Sequence, residues 1–151
     1  MRLAEALIGV GRLCIDTAPF IYYAERSPGR VDKMRAIFLP VHEGRITAFT
    51  SALTLTEALT KPIQARDAEL IRLYQTMFRQ SRYITLVPID AGLAERAAEL
   101  RARYSLKTPD ALQVATALWT GCDAFLTNDL NIRRVEDMRV LVLDELELTS
   151  Q

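Results

Sequence analysis

Short apolar runs alternate along this chain with longer segments of helical periodicity, and no two-residue hairpin signal separates any pair of the runs. That alternation is the strongest constraint on the fold. Strands that follow one another without a tight turn need crossover connections, and crossovers built from helices place the strands parallel and cover both faces of the sheet. The expected strands are Leu13–Ile15, Ile46–Phe49, Ile84–Val87, Ala124–Thr127 and Val140–Leu143.

Helices are expected between them. Thr17-Ala18-Pro19 reads as a helix entry, with Phe20, Ile21 and Tyr23 as its buried stripe. Ser27-Pro28 reads as the N-cap and first residue of a helix carrying Val31, Met34, Ile37, Phe38 and Val41, closed near Gly44. The next helix starts at Ser51 or Thr54 and stops near Pro62. A longer amphipathic helix follows over residues 65–79, with Leu70, Leu73, Tyr74, Met77 and Phe78 inward. Helices over Ala91–Tyr104 and from Thr108-Pro109 to Trp119 complete the series, the last ended by Gly121. The expected fold is α/β: a three-layer α/β/α sandwich around a five-stranded parallel sheet, in one domain over residues 1–151. Residues 1–11 are a candidate extension in which Leu3, Leu7 and Ile8 could line a short helical face.

The 151 residues carry 19 basic and 19 acidic side chains, so formal net charge is zero and nothing in the bulk charge advertises a polyanionic ligand. A local basic rim would escape that test. Cys14 and Cys122 lie in or beside apolar segments and form no metal-ligand spacing, which suggests reduced thiols in a cytoplasmic protein. The first residues lack a secretory h-region, and no stretch approaches the ~20 apolar residues of a membrane span.

Four acids fall where an apolar run gives way to a helix start or a turn: Asp16 in CIDTAPF, Glu57 in TLTEAL, Asp110 in KTPDALQ and Asp129 in FLTNDL. Each has an ordinary reading. Asp16 could cap a helix, and Asp110 could answer a helix dipole. Glu57 follows Thr54 at capping-box spacing, and Asp129 could be a turn residue. Their recurrence at one edge of the expected sheet is not explained that way. Ligand sites in such sheets form outside the strand C-termini, and gathered carboxylates repel unless a cation neutralises them. Hard divalent ions favour oxygen ligands of this kind, and two such ions can serve an in-line phosphoryl displacement. Thr17, Thr127 and Asn128 stand beside the acids and could orient them. His42, the only histidine, reads as solvated. No nucleophile elbow, P-loop or dinucleotide fingerprint appears.

The segments RLCIDTAPFIYYAE, SALTLTEALTKP, TPDALQVATAL and CDAFLTND resemble the signature stretches of PIN-domain ribonucleases, in particular the VapC-like toxins of prokaryotic toxin–antitoxin pairs. The likeness runs over roughly residues 13–143. It implies an endoribonuclease dependent on Mg²⁺ or Mn²⁺, with Asp16, Glu57, Asp110 and Asp129 as catalytic metal ligands and Thr127 close by. It also implies a homodimer, an RNA substrate, and an antitoxin that closes the acidic cleft and makes any DNA link indirect. Asp123 is expected at the far end of its strand, away from the site. Contacts to RNA would fall to Arg79, Arg82, Arg101, Arg103, Arg133 and Arg134. The family commonly begins almost at its first strand, so residues 1–11 are a departure: a misassigned start or an added surface. Other readings are a non-catalytic RNA-binding or interaction module, a structure-specific nuclease acting on DNA, and a phosphate-binding protein using Lys61 or Lys107.

Overall fold

Five short strands, β1 (Arg12–Ile15), β2 (Thr47–Ser51), β3 (Ile84–Val87), β4 (Ala124–Thr127) and β5 (Arg139–Val142), pair in parallel in the order β3-β2-β1-β4-β5. This computed structural model describes residues 1–148. The helices are α1 (Leu3–Ala6), α2 (Thr17–Ala24), α3 (Val31–His42), α4 (Leu53–Gln64), α5 (Ala68–Gln75), α6 (Ala91–Tyr104) and α7 (Thr108–Trp119). The expected parallel sheet with helices on both faces is what the chain forms.

The central strands are apolar because both their faces are covered. Leu13, Cys14 and Ile15 in β1 and all of β4 are buried. Side chains alternate across the sheet. Leu13 and Ile15 join Phe20, Ile37, Phe38, Tyr74 and Phe78 on one face. Cys14 joins Leu93, Leu100, Val114 and Phe125 under α6 and α7 on the other. Phe20 sits within the first cluster, edge-on to Phe78 at 4.9 Å and stacked on Phe38 at 5.9 Å.

The chain steps outward from β1 through β2 to β3, then returns to lay β4 on the other side of β1. Strand order therefore reverses between β1 and β4, the position where a crevice opens outside the strand ends. Ile15 pairs with Leu126 there, which brings Asp16 and the residues after Thr127 to the two sides of one crevice.

Several boundaries differ from expectation. Ser27 and Pro28 do not open a helix; they form the turn before it, with Gly29 at φ +76° and α3 starting at Val31. Arg66 at φ 55° turns the chain after α4, and Asp67 caps α5 by accepting from Leu70 N–H at 3.1 Å, so the long helix expected over residues 65–79 starts at Ala68. It passes into one π turn, Thr76–Gln80, and leaves Leu73 44% exposed while Tyr74 and Phe78 fill the core. Pro62 lies inside the last turn of α4, which runs on two residues to Gln64; its ring leaves the Ala58 carbonyl without that helical donor.

In residues 1–11, Leu3 and Ala6 are buried but Ile8 is 74% exposed. Leu3 N–H donates to Glu147 O at 2.8 Å, and Glu147 N–H to Met1 O at 2.9 Å, so this segment pairs with the far end of the described chain. Cys14 and Cys122 are free thiols. No helix among the described residues is long and apolar enough to cross a membrane.

The hydroxyl of Ser51 is the one buried side-chain polar atom without a hydrogen-bond partner among the described residues. Since an unsatisfied hydroxyl stabilises nothing, Ser51→Ala is expected to leave Tm unchanged or slightly raised. A marked fall would mean that the hydroxyl has a partner in solution.

Candidate active site

Asp16 is the residue at which β1 ends and α2 begins. Its N–H donates to Leu126 O at 2.8 Å, holding it to β4. One carboxylate oxygen caps α2 by accepting from Thr17 N–H at 2.8 Å. The other accepts from the Thr127 hydroxyl, also at 2.8 Å. Burial pushes its pKa up to about 6; the bonds from Thr127 and Thr17 oppose that shift, while the charges of Asp110 and Glu57 add to it.

Thr54 does not cap α4, so the capping-box reading of Thr54 and Glu57 gives way. Ala52 is the N-cap, and Thr54 lies inside the helix, fully buried. Glu57 instead reaches across to α2, where its Oε1 accepts from the Thr17 hydroxyl at 2.7 Å. Asp110 occupies the first turn of α7. Its pKa is raised, first by burial and then by Asp129 and Glu57, with Lys107 opposing. Asp129 follows β4, takes Thr127 Oγ1 as acceptor for its own N–H at 3.1 Å, and caps the next turn through Asn131 N–H at 2.9 Å.

Asp16, Glu57, Asp110 and Asp129 line a single cavity of about 460 Å³, together with Thr17, Ile21, Glu25 and Lys61. Each of the four acids interacts electrically with at least one other. The donor set is all oxygen, anionic and partly desolvated, which fits a hard divalent cation. Among the described residues no three acidic, histidine or cysteine side chains are already drawn together as a ligand cage.

Not every residue singled out in the sequence comes to this cavity. Asn128 turns away, donating to the Tyr22 hydroxyl at 3.1 Å and accepting from Asp144 N–H at 3.0 Å. Asp123 sits at the opposite strand end, where one oxygen accepts from Gly11 and Arg12 N–H at 2.9 Å each. His42 is exposed and packs edge-on against Tyr83. Of the arginines, Arg101 donates to Leu106 O, Arg103 pairs with Asp137, Arg133 with Glu145, and Arg134 donates to Asn131 O and Tyr104 O. Arg82 rests on Tyr83. The cation that lines the cavity is Lys61, one helical turn after Glu57, a spacing visible in the sequence.

Four carboxylates thus stand together outside the switch point of a parallel sheet with helices on both faces. The model of the PIN domain matches residues 13–138. The chain belongs to the PIN-domain family. Comparison with curated protein sequences finds no significant match. Among solved structures, VapBC2 from Rickettsia felis, bound to a DNA fragment from its promoter, is similar with TM-score 0.67 and 13% identity, covering 88% of this chain and 99% of that one. VapC20 from Mycobacterium tuberculosis, a sarcin–ricin loop cleaving toxin, matches with TM-score 0.66 and 17% identity over 80% and 92%. A toxin–antitoxin complex from Klebsiella pneumoniae matches with TM-score 0.64 and 21% identity over 86% and 96%. At these identities the likeness is one of fold.

Proposed function

We propose that this chain is a divalent-metal-dependent endoribonuclease and the toxin of a toxin–antitoxin pair. The observation that carries the reading is the convergence on one cavity of carboxylates from four separate elements, with the pKa of Asp16 raised to about 6 by burial. Membership of the PIN family and the likeness to VapC-type chains support it.

In this reading Asp16, Glu57, Asp110 and Asp129 hold Mg²⁺ or Mn²⁺. When bound, such a cation neutralises charge on a phosphoryl oxygen and lowers the pKa of water. The chain's own residues prepare the site for it. Thr127 and Thr17 N–H fix both oxygens of Asp16, and the Thr17 hydroxyl fixes Glu57. Lys61 supplies positive charge beside the acids, where a flanking phosphate of the strand would lie. The partners are an RNA substrate, a cognate antitoxin covering the acidic cavity, and a second copy of the chain; contact with DNA runs through the antitoxin. We assign the cytoplasm as its compartment and treat residues 1–11 with the rest as one PIN domain.

Incubation of the purified full chain with total RNA, and in parallel with single- and double-stranded DNA, tests the proposal. Discrete RNA fragments that require Mg²⁺ or Mn²⁺, disappear with EDTA and disappear in Asp110→Asn are the expected result. Cleavage of DNA in place of RNA would assign the other nuclease reading. No cleavage of either, in protein free of antitoxin, would leave a binding module.

A further inference from the structure

Behind the acids lies a buried polar cluster, Gln113 in α7, Thr50 in β2 and Thr54 in α4, which the metal reading does not use and which joins it through Thr17 in α2. Gln113 is 1% exposed in the middle of α7, buried with Ala111, Val114 and Ala117. Its Oε1 accepts from Ser51 N–H at 3.3 Å. A main-chain N–H can only donate, so this contact fixes which end of the amide is which. The Nε2 then faces two hydroxyls, Thr54 Oγ1 at 2.8 Å and Thr17 Oγ1 at 3.3 Å.

The direction of every bond in the cluster follows by counting protons. The Thr50 hydroxyl donates to Ile15 O at 2.8 Å, and its single proton is thereby committed. The 2.8 Å contact between Thr50 and Thr54 must then be a donation from Thr54. Thr54, its proton spent, accepts from Gln113. The Thr17 hydroxyl gives its proton to the Glu57 carboxylate at 2.7 Å and also accepts from Gln113. The 3.1 Å contact between Thr17 and Thr54 is left with no proton of its own.

We propose that Gln113 is a positioning residue for the carboxylate site: one amide N–H donates to Thr17, whose own hydroxyl proton orients Glu57, and the other donates to Thr54, whose hydroxyl donates to Thr50 and that of Thr50 to Ile15 O, next to Asp16. Asp110 lies one turn earlier on the same helix, so a single side chain ties three acid-bearing segments together. This inference rests on the metal-site reading for its consequence but not for its geometry.

Two measurements separate the two. In NMR spectra of the wild-type chain without metal, both Gln113 Nε2 protons should exchange slowly with solvent. The Thr17 hydroxyl proton should be visible beside the Glu57 side chain. Rapid exchange of both amide protons would overturn the network whatever the protein cleaves. Titration calorimetry with Mn²⁺ alone should show roughly 10–100-fold weaker binding in Gln113→Met and in Thr17→Val, with Thr17→Ser near wild type. The double variant should lose clearly less than the product of the two single losses, because both act on Glu57 by one route. Independent, multiplicative losses, or wild-type Mn²⁺ affinity in Gln113→Met, would overturn the positioning role. Absence of Mn²⁺ binding in the wild type would count against the metal site, and the NMR result would then decide the network alone.

Discussion

Asp16→Asn is expected to lower metal-dependent RNA cleavage by at least about a hundredfold, since metal-held charge stabilisation is worth several kcal/mol and each ~1.4 kcal/mol is a factor of ten. The same change is expected to stabilise the metal-free protein near pH 7.5. The sign follows from Asp16's pKa of about 6 against an ordinary 3.8. The folded state holds this proton more tightly than the unfolded chain. Below pH 3.8 the group is protonated in both states and costs nothing. Between 3.8 and 6 the penalty accumulates, and above 6 it is complete, on the order of 2–3 kcal/mol. Asparagine carries no such penalty, so the difference in Tm between variant and wild type should grow from pH 4 to pH 6 and then level off. Mn²⁺ or Mg²⁺ should raise the wild-type Tm at pH 7.5, because the ion binds the folded state. A variant that cleaves at the wild-type rate would remove Asp16 from the site. A Tm difference flat from pH 4 to pH 7 would mean that its carboxylate is not desolvated in the way described.

Phe20→Ala is expected to have the largest effect on folding. The ring is fully buried, and it stands between Phe38 and Phe78. Removing a buried phenylalanine costs about 3–5 kcal/mol, as the cavity left behind cannot collapse fully. In a chain of this size that lowers Tm by roughly 6–20 °C, measurable by calorimetry or circular dichroism. Phe20 lies on the helix that Asp16 caps, so Mn²⁺ affinity should fall with it. A shift of only a degree or two would mean that the aromatic cluster repacks.

The strands were legible because buried parallel strands are written as continuous apolar runs. β3 and β4 have the expected bounds, and β2 and β5 are displaced by only one or two residues. The helix starts were harder. Ser27-Pro28 and Thr54-x-x-Glu57 both match cap signals, and neither caps a helix by its side chain: Ser27 O closes a local turn with Arg30 and Val31 N–H, and Thr54 is drawn by tertiary contacts into the buried cluster. That the four acids share one edge could be anticipated from strand ends for Asp16, Glu57 and Asp129, and from a helix start for Asp110. The roles of Thr54, Thr50 and Gln113 could not, because hydroxyls and amides at such spacing look the same whether they cap, turn or interlock. Gln113 did leave one mark, a polar residue on the inward face of VATAL.

The central pairing of β1 with β4 also bears on time. The bond from Thr127 to Asp16 joins residues 111 apart in the chain, so every strand of the sheet but β5 must be made before the two meet. A chain growing from its N-terminus carries Asp16 and Glu57 early, yet has no complete acid set until β4 has been translated and has settled beside β1. If the set cuts RNA as proposed, the nascent protein is harmless to the message and the ribosome that are making it. The interval in which an inhibitor must find it begins only when β4 is in place.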